Sequence, residues 1–117
     1  MSNAAPGPAL TLDVEICAGN VALVRCHGRL VAGVDKILYD RVTELIPSHQ
    51  RIVLDLSDLK HTDSMGLGTL VRLYVSARAA GSSLELMHLS QQIRHLLGLT
   101  NMLSVFTVIG ENGIKFM

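Results

Sequence analysis

The stretch RIVLDLSDLKHTDSMGLGTLV, Arg51–Val71, decides how the chain is read. It opens on RIVLDL, a β-branched run apolar on both faces, which marks a covered central strand. A polar turn leads to Asp63 and Ser64, and helical spacing then resumes through VRLYVSARAA, residues 71–80. Asp63 and Ser64 are both good helix-capping residues. Gly66 and Gly68 fall in the first turns of that helix, where each costs about 1 kcal/mol relative to alanine. Capping and tight packing on a sheet account for one glycine. Two glycines, with an exposed Met65 between Ser64 and Gly66, suggest a backbone kept bare for another surface or a phosphate.

Upstream, LTLDVEIC and VALVRCHG read as a hairpin. A three-residue loop, Ala18–Asn20, aligns Leu12, Val14 and Ile16 with Cys26, Val24 and Ala22 on one apolar face. VDKILYDRVTELI carries Val34, Ile37, Leu38, Val42, Leu45 and Ile46 at helical spacing, and Pro47 ends the helix. Downstream, the second helix runs to Ala80, with Gly81 as its left-handed cap. SLELMHL is a strand. Ser90 caps a third helix, QQIRHLL, closed by Gly98. SVFTVI is the last strand, and the tail GENGIKFM offers at most one helical turn. The order β-β-α-β-α-β-α-β predicts a single-domain α/β fold, with helices packed on a mixed, mostly parallel sheet. Residues 1–9 are expected to be a flexible lead and residues 10–117 the domain. The SNA after Met1 resembles an expression-tag scar.

The 117 residues suffice for one domain with a real core. Formal net charge is zero and no lysine or arginine block forms a basic stripe. With only Tyr39, Tyr74, Phe106 and Phe116 as aromatics, there is no stacking platform for bases, so nucleic-acid binding is not expected. No apolar run approaches the ~18 residues of a membrane span. The N-terminus lacks the basic and apolar regions of a secretory signal. Cys17 lies several rungs from Cys26 in the three-residue register, so no disulfide is expected. Two free thiols suit the reducing cytoplasm. No metal-ligand spacing or cofactor motif is present.

Three chemistries compete for the Asp63–Gly68 turn. A nucleotide loop would require G-x-x-x-x-G-K-[ST] or G-x-G-x-x-G, and no lysine follows these glycines. His61, Asp63 and Ser64 supply the letters of a hydrolytic triad, but residues this close in sequence rarely line up in one row. There is also no G-x-S-x-G elbow. The other histidines do not rescue it: His88 reads as a strand residue, His95 as a helix-face residue, and His27 and His49 as hairpin-end and loop residues. The third chemistry is a partner-binding surface with a modifiable hydroxyl. A phosphoryl group on Ser64 adds about −1.5 to −2 charges, tolerated at a helix N-terminus yet repulsive to a docked partner. The core stripe of the second helix reads as Leu67, Leu70, Val71, Tyr74 and Ala77. That leaves Thr69, Arg72, Leu73 and Ser76 on the outer side. The expected partner surface is therefore Asp63, Ser64, Met65, Gly66, Leu67, Gly68, Thr69, Arg72 and Leu73.

The same residues resemble the signature of the STAS domain, found in anti-sigma factor antagonists and in the cytoplasmic tails of sulfate transporters. The family pattern is an apolar strand, a variable turn, then Asp-Ser-(Ser or Ala)-Gly-Leu-Gly opening a helix. Here it reads Asp63-Ser64-Met65-Gly66-Leu67-Gly68. GRL at Gly28–Leu30 is similar to the family's turn after its second strand. GSSLELMHLSQQIRHLLGLTNMLSVFTV resembles its later strand, helix and last strand. Met65 stands where the family has serine or alanine, and Val31 where many antagonists have an aspartate. The resemblance implies a non-catalytic regulator. Its partner would be an anti-sigma factor that is also a serine kinase and phosphorylates Ser64, and a phosphatase would restore the serine. It equally admits a scaffold subunit of a signalling or transport complex that is never phosphorylated.

Overall fold

The computed structural model describes residues 9–109. The elements are β1 (Leu10–Cys17), β2 (Val21–Leu30), α1 (Asp35–Leu45), β3 (Arg51–Thr62), α2 (Ser64–Ala79), β4 (Ser83–Met87), α3 (Gln91–Leu99) and β5 (Thr107–Ile109). One sheet holds the strands in the order β1-β2-β3-β4-β5. Among the described residues, only the β1–β2 pair is antiparallel. The expected mixed sheet and the order of strands and helices are both observed.

Each crossover moves one strand further in the same direction. Right-handed connections then place α1, α2 and α3 on one side of the sheet. All three helices accordingly contribute to one core, with Ala22, Val24, Ile52, Leu54, Leu84 and Leu86 facing them from the strands. The other face of the sheet carries a small apolar group, Val53 and Met87 flanked by Val21 and Leu23.

The hairpin has the three-residue register: Leu12 pairs with Cys26, Val14 with Val24, Ile16 with Ala22, and Cys17 lies opposite Val21. Both cysteines are free. Gly81 takes the left-handed position after α2, at φ +83°. The Ser82 amide reaches back to the Ala77 carbonyl at 2.8 Å, closing the helix as a Schellman motif.

Several boundaries depart from the sequence reading. β3 runs to Thr62 rather than ending at Leu56, because two bulges let its polar half continue pairing with β2. Gly98 stays inside α3. Asn101 takes the left-handed role at φ 60°, with Met102 N donating to Leu97 O at 2.8 Å. β5 begins at Thr107, because the amides of Val105 and Phe106 bond back to the Met102 carbonyl. Ile37 is exposed, and Leu38, Val42 and Leu45 carry the buried face of α1. Pro47 sits in a single 3-10 turn, Ile46–Ser48, that follows α1 directly. His88 lies just beyond β4 at φ 58°. The expectation of a helical turn in GENGIKFM falls outside the described residues.

Candidate functional site

The site forms where β3 hands over to α2. Asp63 is extended, at φ −112° and ψ −172°, and caps the helix by accepting the Gly66 amide at 2.9 Å on Oδ1. Its Oδ2 accepts the Ala32 amide at 3.0 Å, from the connection between β2 and α1. The two amides, Ala32 first, hold the Asp63 carboxyl below the usual carboxylate range. Thr62 Oγ1 donates to the Leu30 carbonyl at 2.7 Å, and the Asp63 amide bonds the same oxygen at 3.4 Å. The end of β2, the following turn and the start of α2 are therefore one hydrogen-bonded unit.

The two glycines separate into different roles. Gly66 is buried, and a Cβ there would collide with the Leu30 carbonyl oxygen and with Thr62 Oγ1. It is the residue that allows the helix to press against the β2 terminus. Gly68 is exposed, and an added Cβ would meet nothing. Packing thus explains Gly66, but not Gly68.

Ser64 is the first residue of α2. It is exposed, and its hydroxyl bonds no described residue. Met65 beside it is 54% exposed. Leu67 is half-buried against the core. Thr69 and Leu73, expected on the outer surface, are both fully buried. That expectation is corrected. The buried band of α2 is Gly66, Thr69, Leu70, Leu73 and Ala77, rotated from the stripe the sequence suggested. Its cause is α1, which packs against α2 and claims Thr69: Thr69 Oγ1 donates to Asp35 Oδ2 at 2.9 Å. A buried threonine is acceptable there because its hydroxyl is paired.

Arg72 remains on the surface. Its guanidinium lies 4.7 Å from the centre of the Tyr39 ring, and Nη2 donates to Thr69 Oγ1 at 3.3 Å. Asp35, Thr69 and Arg72 thus form a relay from the first turn of α1 to the face of α2. An open cleft of about 480 Å³ lies beside it, lined by Gly33, Asp35, Lys36, Tyr39, Asp40 and Arg72. Neither Asp35 nor Tyr39 stands out in the sequence, because each acts through a residue on the neighbouring helix.

The turn does not assemble a hydrolytic relay. Both Asp63 oxygens are engaged by backbone amides, and none of the hydrogen bonds at this turn joins His61 to Asp63 or Ser64. No group of three or more histidine, cysteine, aspartate or glutamate side chains among the described residues is placed to hold a metal ion. No helix of the described residues is long and apolar enough to cross a membrane.

Residues 10–112 match the STAS domain family. The chain belongs to that family. Among solved structures, its fold superposes on an anti-sigma factor antagonist from Mycobacterium paratuberculosis with a TM-score of 0.76, at 20% identity, over 87% of this chain and 86% of that one. The anti-sigma factor antagonist SpoIIAA in its unphosphorylated form gives 0.73 at 16% identity, over 86% and 90%. The phosphorylated form of SpoIIAA, a Bacillus cell fate determinant, matches as well. SLC26A9 gives 0.67 at 11% identity, over 85% of this chain and 21% of that much longer one. At these identities the likeness is one of fold. It extends from antagonist proteins that the chain covers almost whole to a segment of a much larger chain.

Proposed function

We propose that this STAS domain is an anti-sigma factor antagonist: a non-catalytic module that binds an anti-sigma factor with serine kinase activity and is released when Ser64 is phosphorylated. The observation that carries this reading is the Ser64 hydroxyl. It is exposed at the first position of α2, bonds no described residue, and directly follows an aspartate fixed by two amides. A kinase can reach it without unfolding anything. The likeness to SpoIIAA, known in unphosphorylated and phosphorylated forms, adds support. A phosphatase would return the domain to its binding state. The partner surface would comprise Ser64, Met65, Gly68 and Arg72, with Asp63, Gly66, Leu67, Thr69 and Leu73 supporting it from beneath.

The test is a quantitative pull-down from native-host lysate with wild type and Ser64→Asp as baits. A kinase-type partner held by wild type and lost by Ser64→Asp is the expected result, with circular dichroism and melting of the two proteins near-identical. Equal retention of the same partners by both baits would overturn the switch.

A scaffold role without phosphorylation is the second reading. Met65 favours it: a large apolar side chain, 54% exposed, stands next to the acceptor serine and could seat a permanent partner. Equal retention in the pull-down is the result this reading expects.

A further inference from the structure

The described part of β3 spends 12 residues where its partner β2 uses 10, and the two extra residues are the two bulges. Their effect is visible in the alternation. Ile52, Leu54 and Leu56 face the core, then Leu59 does, then Thr62. The first shift falls between Arg25 and His27, so that His27 pairs with Asp58 and not with Ser57. That brings Asp58 to the side of the sheet away from α1, α2 and α3, beside His27.

The result is an imidazole held between two carboxylates on two other strands. His27 Nδ1 lies 2.8 Å from Asp58 Oδ2 on β3, and Nε2 lies 2.8 Å from Asp13 Oδ2 on β1. A neutral imidazole has one N–H and one lone pair, so it would satisfy one carboxylate and point its lone pair at the other. Only the imidazolium donates to both. Carboxylates facing both ring nitrogens therefore select the charged form. Among the described residues, Lys60 lies 3.1 Å from Asp58, the neighbouring Arg25–Glu15 pair closes at 2.9 Å, and Arg29 lies two residues along β2 on the same face as His27.

We propose that His27 is a pH-responsive fastener that pins the edge strand β1 and the bulged half of β3 to β2. The bulged half leads directly into Thr62, Asp63 and the start of α2, so the fastener acts on the strand that delivers Ser64. It stands on the strand geometry and holds whether or not Ser64 is ever phosphorylated. Its sign follows from linkage. Asp58 first, then Asp13, raises the His27 value above the ordinary one. A raised folded value means the stabilisation is complete below the unfolded histidine value, about 6.5, and is lost as pH rises through the folded value.

The experiment is heteronuclear NMR on the full chain, comparing wild type with His27→Gln, Asp13→Asn and Asp58→Asn. In wild type, the His27 ring should titrate above about 6.5, and each asparagine variant should lower that midpoint. Amide protection at Asp13–Glu15 and Asp58–Lys60 should fall as pH rises from below about 6.5 through the folded His27 value. After the intrinsic pH dependence of exchange is divided out, the fall should be severalfold, about fivefold at most for pairs this exposed. The fall should vanish in His27→Gln. A His27 midpoint at or below the ordinary value, or the same fall in His27→Gln, would overturn the proposal.

Discussion

Asp63 Oδ2 accepts the Ala32 amide at 3.0 Å, which ties the turn after β2 to the first turn of α2. The other oxygen caps the helix at Gly66. One carboxylate therefore fixes the start of α2 to a turn 31 residues before it in sequence. Both bonds are charge-assisted, and only the ionised side chain accepts both at full strength.

Asp63→Asn keeps one oxygen for the cap but offers an NH2 group to the Ala32 amide, where a donor is useless. The variant should melt a few degrees below wild type near neutrality. Because the folded carboxyl value is depressed, its stabilisation is present above the unfolded value of about 3.9 and lost as pH falls through the folded value. The gap between the two melting curves should therefore be constant near neutrality and narrow only as the buffer is taken below about 3.9 and on through the folded value. A gap that stays constant with pH would show that the Ala32 bond does not depend on the charge.

The two glycines should respond in opposite directions. Gly66→Ala forces a methyl group against the Leu30 carbonyl and Thr62 Oγ1. Overpacking of this kind costs about 1–3 kcal/mol. Gly68→Ala fills open space on a helix and should stabilise by about 1 kcal/mol. Urea denaturation of the two variants reads both signs. If Gly68 is kept small for a partner's approach, the more stable Gly68→Ala protein should retain less of the partner held by wild type. Retention equal to wild type would remove that explanation for the second glycine.

Leu73 and Arg72 are neighbours in sequence with different duties. Leu73 is fully buried in the core, so Leu73→Ala should cost about 2–5 kcal/mol. Arg72→Ala loses an exposed stacking contact with Tyr39 and one hydrogen bond, and should cost no more than about 1 kcal/mol. On the proposed partner surface the order reverses. Arg72→Ala should weaken binding at unchanged fold, whereas any effect of Leu73→Ala should track its loss of stability. Chemical denaturation and pull-down on the same two proteins separate the roles.

The contrast between these residues marks how far the sequence could be read. Period-two alternation fixed the hairpin register, and apolar periodicity with Pro47, Gly81 and Ser90 located the helices and strands. The Asp63–Gly68 turn was legible because capping residues and two glycines violate ordinary helix preference in one place. What stayed hidden depends on long-range pairing. The second half of β3 is polar, SDLKHT, and only its bonds to β2 reveal it as a strand. Thr69 looks like a surface residue until Asp35, 34 positions away, is seen to accept its hydroxyl. Leu73 was misplaced for the same reason: the face of α2 that α1 covers is set by the crossing of two helices, not by the periodicity of one.

The two cysteines provide a chemical readout of the same architecture. Cys26 faces the core from β2 and is 1% exposed. Burial first, and the nearby Asp55 charge second, push its thiol up to about 12. Because the thiolate is the nucleophile, Cys26 should be inert to alkylation in the folded protein. Cys17 is half-exposed at the end of β1, its thiol 3.9 Å from the Glu15 carbonyl. Iodoacetamide near pH 8, followed by intact-mass spectrometry, should give a single adduct at Cys17. A second adduct should appear only when urea opens the sheet. Equal modification of both thiols in native buffer would mean that β1 detaches from β2 readily. That outcome would contradict both the packing of Leu10, Leu12 and Val14 against the core and the fastening of β1 through His27.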